Sequence, residues 1–427
     1  MKPISELEKK LSTGAFDSTL QHLYFEPEQV ERQRERYMQA LNTFRNTFGA
    51  GDVSVYSAPG RTEIGGNHTD HQHGQVLAAS IHLDAIAVVR KSEEPVIRLL
   101  SEGYALLTLP LSDYFPIKKS DFGTTRALIC GVCQGFLNQG LQIGGFDAYV
   151  TSDVLIGAGL SSSAAFETLL GTILSALYNN FSVDAITIAI IGQYAENQYF
   201  GKPCGLMDQM ACSVGNLVHI DFAMPEAPIV RRIEVDFDTS GYDLCITDTK
   251  GSHANLTPDY AAIPAEMNRV AHLFQKDFLK DVTPDEIYLN LSYIREKAGD
   301  RAALRAIHFV EENARVASEV AALSHDDMPK FLSLVNASGN SSFKYLQNVY
   351  SPQDLTHQNV AVALALSEHL LNGDGAIRIH GGGFAGTMEA FVPTSLTASY
   401  QQKMNAVFGS GSCKTLHIRK QGGIRVL

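Results

Sequence analysis

Three histidines and an aspartate stand within six residues near the start of the chain, in the segment GRTEIGGNHTDHQHG (60–74). They are His68, Asp70, His71 and His73. Such a cluster suits either a metal ion or a ligand rich in hydroxyl groups. A metal site would need ligands on one rigid face, and no H-E-x-x-H motif or obvious second cluster completes the set. We therefore interpret His68 and Asp70 as donors and acceptors for a sugar, and His71 and His73 as exposed loop residues.

The loop GAGLSSSAA (157–165) joins a strand pattern to a helix pattern. Phe146, Ala148 and Val150 alternate before the loop, and an apolar stripe at helical spacing runs from Phe166 to Leu177 after it. A helix that begins at the serines directs free N–H groups and the positive end of its dipole into the loop. The pattern therefore indicates a phosphate site, or else a turn with an N-capping serine. It is not a Walker A loop, because no G-K-[ST] follows.

Two further segments could hold reactive or ligand-binding groups. In GKPCGLMDQM (201–210), Asp208 stands among small and apolar residues, where it serves either as a partly desolvated catalytic carboxylate or as a helix N-cap. HGGGFAG (380–386) imitates the oxyanion loop of some hydrolases, but the G-x-S-x-G elbow that such enzymes need is missing. Its glycines instead predict close approach of the backbone to a ligand or to another lobe.

The elements that position these segments alternate between strand and helix after residue 50, which predicts α/β or α+β architecture. A chain of 427 residues exceeds the size that a single hydrophobic core supports, so two lobes are expected. A composition shift near 240–250 marks the boundary between them. The predicted units are a charged helical extension (1–50), an N-terminal lobe (51–245) and a C-terminal lobe (246–427).

Composition and charge exclude several classes of partner. The net charge of -12 and the lack of a long basic run argue against nucleic-acid binding. The N-terminal residues do not form a signal peptide, and no apolar stretch is long enough to cross a membrane. Six cysteines without a secretion signal indicate reduced thiols and a cytoplasmic protein. Two of them, Cys130 and Cys133 in CGVC, continue a helical apolar pattern and are predicted to be buried structural thiols.

The four motifs, taken together and in this order, resemble those of the GHMP small-molecule kinase family. GRTEIGGNHTDH resembles its sugar loop, GLSSSA its phosphate loop, and HGGGFAG its C-terminal glycine-rich loop. CGLMDQ is similar to a segment typical of the galactokinase branch. The resemblance covers about residues 50 to 427. It implies an α+β fold of two lobes, the first like ribosomal protein S5 and the second ferredoxin-like, with the active site in the cleft between them.

The resemblance also implies an activity and a role for individual residues. ATP would phosphorylate the anomeric hydroxyl of galactose, with Mg²⁺ as cofactor, and the protein would be a monomer whose partners are the sugar and ATP. The catalytic pair would be Asp208 and Arg61, and the sugar contacts Asn67, His68, Asp70, Gly205 and Tyr260. The ATP contacts would be Gly157, Ala158, Gly159, Leu160, Ser161, Ser162 and Ser163. The magnesium ligands would be Glu196 with Ser162 or Ser163.

The chain departs from the family pattern at three points. Asn67 replaces a glutamate that faces the hydroxymethyl end of the sugar, EIGG replaces NLIG, and Ala385 stands where glycine is usual. An uncharged Asn67 would tolerate a carboxylate at that end, so a galacturonate kinase is an alternative, and an N-acetylgalactosamine kinase a weaker one. A sugar sensor that binds ATP without turnover is a third alternative, disfavoured because the phosphate loop is intact.

Overall fold

The computed structural model describes residues 1–154, 159–225, 227–235, 237–251 and 256–427. The helices are α1 Ile4–Ser12, α2 Asp17–Tyr24, α3 Pro27–Phe48, α4 Thr125–Asn138, α5 Ser162–Tyr178, α6 Ala185–Tyr194, α7 Met207–Val214, α8 Thr257–Leu273, α9 Pro284–Leu289, α10 Leu291–Ala298, α11 Asp300–Ser324, α12 Met328–Ser341, α13 Asn359–Leu371 and α14 Thr397–Phe408. The strands are β1 Lys2–Pro3, β2 Asp52–Gly65, β3 Gln75–Lys91, β4 Val96–Ser101, β5 Leu107–Pro110, β6 Phe146–Ser152, β7 Leu217–Asp221, β8 Ile229–Ile233, β9 Tyr242–Asp248, β10 Ala376–Ile379, β11 Thr387–Pro393, β12 Cys413–Leu416 and β13 Ile424–Arg425.

The first sheet is built around the long strands β2 and β3. Its main path runs β1-β2-β3-β6-β4-β5, with β13 beside β2, β7 beside β3, and β8 beside β7. Apolar side chains of α4, α5 and α6 pack on one face of this sheet. The other face is covered by α1, α2 and α3, so the N-terminal extension shares a hydrophobic core with the sheet. Because both faces of the sheet are covered, every residue of β6 from Phe146 to Thr151 is buried, including the polar residues that alternate with Phe146, Ala148 and Val150.

The second sheet has the order β10-β11-β9-β12, and α13 and α14 pack against one of its faces. Its strand β9 begins at Tyr242, so the predicted boundary between 245 and 246 falls inside this strand. The chain end also returns to the first sheet, where β13 pairs with β2. The end of the chain, which follows the second sheet in sequence, therefore belongs to the first sheet, because β13 forms its hydrogen bonds with β2.

The predicted junction of strand, loop and helix is confirmed by β6 and α5, which flank the Gly/Ser loop. The glycine-rich segment HGGGFAG joins the neighbouring strands β10 and β11. Cys130 and Cys133 lie inside α4, as the helical pattern predicts, and all six cysteines are free thiols. Cys133 is buried as predicted, whereas Cys130 is only half-buried. Among the described helices, none combines the length and the apolar composition needed to cross a membrane.

Candidate active site between the two sheets

The predicted catalytic pair is brought together by β2 and α7. The Nε of Arg61 donates to Oδ1 of Asp208 at 2.7 Å, and the Ser161 hydroxyl donates to Oδ2 of the same carboxylate. Arg61 also donates through its guanidinium to the carbonyl of Gly159. Asp208 lies in the first turn of α7 and is not its N-cap, which is Leu206. The carboxylate is thus held by one residue of the sugar-loop strand and one of the phosphate loop.

Charge pairing keeps this carboxylate ionised. Burial would raise the pKa of Asp208, but the Arg61 guanidinium and the hydrogen bonds from Arg61 and Ser161 outweigh it, so the pKa lies below its ordinary value. Burial likewise opposes the charge of Arg61, yet Asp208 raises the pKa of the guanidinium. At neutral pH the pair is therefore an aspartate and an arginine ion, in direct contact.

The described part of the phosphate loop leads into an α5 N-terminus that has free amide groups. Ser161 has a left-handed backbone conformation and makes no side-chain cap to the helix. The N-capping alternative is therefore not what the structure shows, and the first N–H groups of α5 stay available to an anion. The carbonyl of Leu160 accepts the N–H of Arg61 at 3.2 Å. Gly157 and Ala158, both predicted to bind ATP, lie outside the described residues.

Glu196 lies in a π-helical turn, Ala195–Phe200, that continues α6. The Ser163 hydroxyl donates to its Oε1 at 2.9 Å, whereas no hydrogen bond joins Ser162 to Glu196 among the described residues. Oε2 accepts from Nε2 of Gln209 at 2.7 Å, and that same amide reaches Glu167 at 3.0 Å. Burial, reinforced by the charge of Glu196, raises the pKa of Glu167 well above its ordinary value. The two carboxyl groups thus lie side by side and share one amide donor, Nε2 of Gln209.

This set of donors fits a magnesium ion better than a transition metal. Ser163 and Glu196 present hard oxygen atoms, and Mg²⁺ takes one or two such protein ligands and completes its shell with phosphates and water. Within the described ranges, no group of three or more His, Cys, Asp or Glu side chains could hold a metal by itself. A cation bound here would accordingly complete its coordination shell with water molecules or with oxygen atoms supplied by the nucleotide.

His68 carries a buried nitrogen atom without a hydrogen-bond partner. Its Nε2 lies 2.9 Å from the carbonyl of Gly382 and donates to it, which leaves Nδ1 as an acceptor. No described atom donates to this buried Nδ1. Burial, reinforced by the neighbouring His71, lowers the pKa of His68 to about 3, so the ring is neutral and Nδ1 keeps its lone pair. An acceptor of this kind suits a sugar hydroxyl.

Asp70 and Gly205 lie against each other, as the predicted sugar site requires. A Cβ atom on Gly205 would come within 1.9 Å of Oδ2 of Asp70, so only glycine fits at this position. The other oxygen of Asp70 accepts the N–H of His71 at 2.9 Å. The two remaining histidines are half-buried rather than exposed, and His73 stacks on Phe278 with ring centroids 3.7 Å apart. The sequence pattern could not reveal this stacking, because Phe278 belongs to a distant segment.

Asn67 is fully buried, and protein groups use all of its side-chain hydrogen bonds. Its Nδ2 donates to Oε1 of Glu63 at 2.9 Å and to the carbonyl of Gly381 at 2.7 Å. Its Oδ1 accepts from Nδ2 of Asn348 at 2.8 Å and from the Ser342 hydroxyl at 3.3 Å. The side chain has no donor or acceptor left for a sugar hydroxyl in this arrangement.

The glycine-rich loop is held by the residues around the sugar loop. Three successive carbonyl groups, those of Gly381, Gly382 and Gly383, accept from Asn67, His68 and Tyr260 respectively. The Tyr260 hydroxyl makes its bond at 2.8 Å. This loop lies between two strands of the second sheet, whereas the sugar loop follows β2 of the first. The candidate site is therefore located where the two sheets meet, as expected for a cleft between lobes.

His380 is a site residue that the sequence motifs did not identify. Its Nε2 accepts the N–H of Glu63 at 3.1 Å, and its Nδ1 lies 3.0 Å from the Thr387 hydroxyl. A Cβ on Gly159 would come within 3.3 Å of the same ring. His380 thus contacts β2, β11 and the phosphate loop together. The only sequence feature that could have identified His380 as a site residue is its position at the start of HGGGFAG.

Comparisons with known proteins agree with this geometry. The galactokinase galactose-binding signature matches residues 42–91, and the GHMP kinases N terminal domain matches residues 127–216. Galactokinase of Lactococcus lactis, solved in complex with galactose, superposes with a TM-score of 0.76 at 24% identity, over 90% of this chain and 98% of that chain. Mevalonate kinase of Methanococcus jannaschii superposes with a TM-score of 0.60 at 15% identity, over 86% of this chain and 99% of that chain.

Proposed function

Because the chain belongs to the GHMP kinases, we propose that it is a galactokinase, an ATP-dependent kinase that phosphorylates galactose at the anomeric hydroxyl. This proposal rests on one observation, the position of the galactose-binding signature in the structure. Residues 42–91 include Arg61, His68 and Asp70, and the structure groups them with Asp208 and Gly205 at the meeting of the sheets. Sugar-binding groups and the phosphate loop thus face one site.

In the proposed mechanism, positioning and charge neutralisation do most of the work, as in other phosphoryl transfers. Amides of the phosphate loop and of the α5 N-terminus bind the ATP phosphates. Magnesium, held by Ser163 and Glu196, would neutralise phosphate charge. Asp208 orients the anomeric hydroxyl and takes up its proton at Oδ1 or Oδ2, as the new P–O bond to the sugar forms and the bond from the γ-phosphorus to the departing ADP breaks. Arg61 keeps that carboxylate ionised until then.

In this proposal the sugar is bound by His68, Asp70, Gly205 and Tyr260. His68 would accept a hydroxyl proton at its free Nδ1, and Asp70 would accept others at its carboxylate. Asn67 would act indirectly, by holding the sugar loop against Gly381. The galacturonate alternative required Asn67 to face the sugar, and no observation now favours it. We further propose that the enzyme works as a cytoplasmic monomer.

The test is release of ADP by the purified protein with Mg·ATP and with galactose, galacturonate or N-acetylgalactosamine as acceptor. We expect turnover with galactose and a loss of at least a hundredfold in Asp208→Asn, because removing a group that acts in the transition state costs about 10²–10⁴ in rate. Calorimetric titration should show that this variant still binds galactose. Preference for another sugar would reassign the substrate, and binding of sugar without ADP release would make the protein a sensor.

A further inference from the structure

Lys202 folds back onto the predicted magnesium ligand. It follows the π-helical turn, after Gly201 has reversed the chain with a φ of 78°. The backbone N–H of Lys202 donates to the carbonyl of Glu196 at 3.2 Å. Its ammonium Nζ lies 3.1 Å from Oε1 of the same residue. Main chain and side chain together therefore place this ammonium group at Glu196.

The ammonium contacts the carboxylate oxygen that faces the phosphate loop. Oε1 of Glu196 accepts from both Lys202 and Ser163, whereas Oε2 points inward to Gln209. Asp208 is also close enough to act on the lysine. A lysine ammonium is positively charged at neutral pH. Lys202 is thus a cation at the border between the catalytic pair and the proposed metal site.

Solvent exposure suggests that this ion pair has a use other than stability. The side chain of Lys202 is 62% exposed, whereas that of Glu196 is 1% exposed. A pair with one exposed partner contributes at most about 1 kcal/mol to folding. A lysine side chain is long and flexible, so its ammonium can leave the carboxylate at little energetic cost. ATP brings several negative charges, and an ammonium group beside the phosphate loop is a suitable hydrogen-bond donor to them.

We propose that Lys202 is a phosphate-binding residue, which pairs with Glu196 in the free enzyme and moves to the β- and γ-phosphates of ATP when Glu196 takes up the divalent cation. This inference rests on the proposed kinase function and adds a contact that the four motifs do not contain. The ammonium and the cation compete for Oε1 of Glu196, since like charges cannot share one oxygen atom. The displaced ammonium would then be free to bind the phosphates, because Oε1 of Glu196 also contacts Ser163 of the loop proposed to hold them.

The test uses Lys202→Met, which keeps the length of the side chain and removes its charge, together with Lys202→Arg. Lys10→Met is the matched control, because Lys10 also pairs with a glutamate, Glu6, at 2.7 Å but lies in α1. Titration calorimetry with a non-hydrolysable ATP analogue and magnesium measures nucleotide binding. Electron paramagnetic resonance of Mn²⁺ without nucleotide measures cation binding. Neither measurement needs turnover, so failure of this inference is distinct from failure of the proposed function.

We expect Lys202→Met to bind the analogue at least tenfold more weakly, the effect of one lost charged hydrogen bond. We also expect it to bind Mn²⁺ more tightly, because the competing ammonium is gone. Lys202→Arg should restore most of the nucleotide affinity, and Lys10→Met should match the wild type in both titrations. Unchanged nucleotide affinity, or unchanged or weaker Mn²⁺ binding, in a Lys202→Met protein with normal thermal unfolding would overturn the inference.

Discussion

Both carboxylate oxygen atoms of Asp208 accept hydrogen bonds, and these bonds determine how strong a base the side chain is. Arg61 occupies Oδ1 and Ser161 occupies Oδ2, and the pKa of the carboxyl group is below its ordinary value. A carboxylate with a low pKa is a weak base, so it gains little by taking a proton before phosphoryl transfer has begun. In the proposed mechanism, its larger contribution would be to orient the attacking hydroxyl and to accept the proton late in the transition state.

The dependence of Asp208 on Arg61 can be measured by ¹³C NMR of the carboxyl groups. In the wild type, Asp208 should titrate below 3.8, its ordinary value. In Arg61→Met the attraction is lost while most of the burial remains, so the pKa should rise by at least one unit, equivalent to about 1.4 kcal/mol. Asp208→Asn identifies the resonance. An unchanged pKa in Arg61→Met would show that Ser161 and the burial of the site set the ionisation instead.

At the scale of elements, Asn67 and the glycine-rich loop form one unit. Asn67 bonds Gly381, and His68, the next residue, bonds Gly382. The sugar loop therefore cannot move away from the second sheet without breaking both bonds. This coupling places the acceptor Nδ1 of His68 and explains why a fully buried asparagine stands inside a binding motif.

The indirect role of Asn67 predicts a specific pattern of kinetics. Asn67→Ala removes the donor to the Gly381 carbonyl and leaves the Asn348 amide only its longer bond to the Gly382 carbonyl, at 3.3 Å. An unsatisfied buried polar group costs about 1–3 kcal/mol. The KM for galactose should rise as the loop loosens. The ratio of kcat/KM for galactose over 6-deoxygalactose should stay the same, because no bond to the sugar's hydroxymethyl group is lost.

A fall of that ratio towards one in Asn67→Ala would mean that Asn67 binds the hydroxymethyl group directly. Asn67→Asp is the matched second variant, since it keeps the size of the side chain. It places a carboxyl group 2.9 Å from Glu63, the present length of that contact. Like-charge repulsion should lower its stability more than it alters the ratio.

The motifs could be predicted from the sequence because each is a local pattern. GLSSSA lies between a strand pattern and a helix pattern, and β6 and α5 confirm both. The partners of Asn67 could not be predicted, because Asn348 and Gly381 stand 281 and 314 residues further along the chain. The contact of Lys202 with Glu196 is close in sequence, but it needs a π-helical turn, which sequence periodicity does not reveal.

At the scale of the whole molecule, the N-terminal helices are tied to the kinase fold through one buried carboxylate. Asp84 of β3 is completely buried and accepts from the Tyr24 hydroxyl at 2.7 Å. It pairs with Arg36 of α3 at 2.8 Å and with Arg419 of the C-terminal segment at 3.1 Å. Burial would raise the pKa of Asp84, but the two guanidinium groups lower it overall. The carboxylate of Asp84, on the first sheet, thus contacts both the N-terminal extension and the C-terminal segment.

Asp84→Asn should therefore destabilise the protein without affecting catalysis. The substitution leaves two buried guanidinium groups facing a neutral amide, and losing one partner of a buried ion pair costs about 3–5 kcal/mol. The folded pKa of Asp84 is below its unfolded value near 3.8, so its contribution is complete above that pH and disappears as the pH falls through the folded pKa. Urea unfolding should show a large difference from wild type at pH 7 that shrinks below pH 4.

Arg32→Gln is the control for this measurement, because its pair with Asp153 has a guanidinium that is 54% exposed. Its loss should cost at most about 1 kcal/mol at pH 7. The KM values of Asp84→Asn should match the wild type, since the hydrogen bonds of Asp84 go to residues outside the sugar and phosphate loops. A difference below 1 kcal/mol at pH 7 would mean that the extension is held by its apolar contacts alone. Removal of residues 1–50 would then expose the apolar face of the first sheet without disturbing any essential charge.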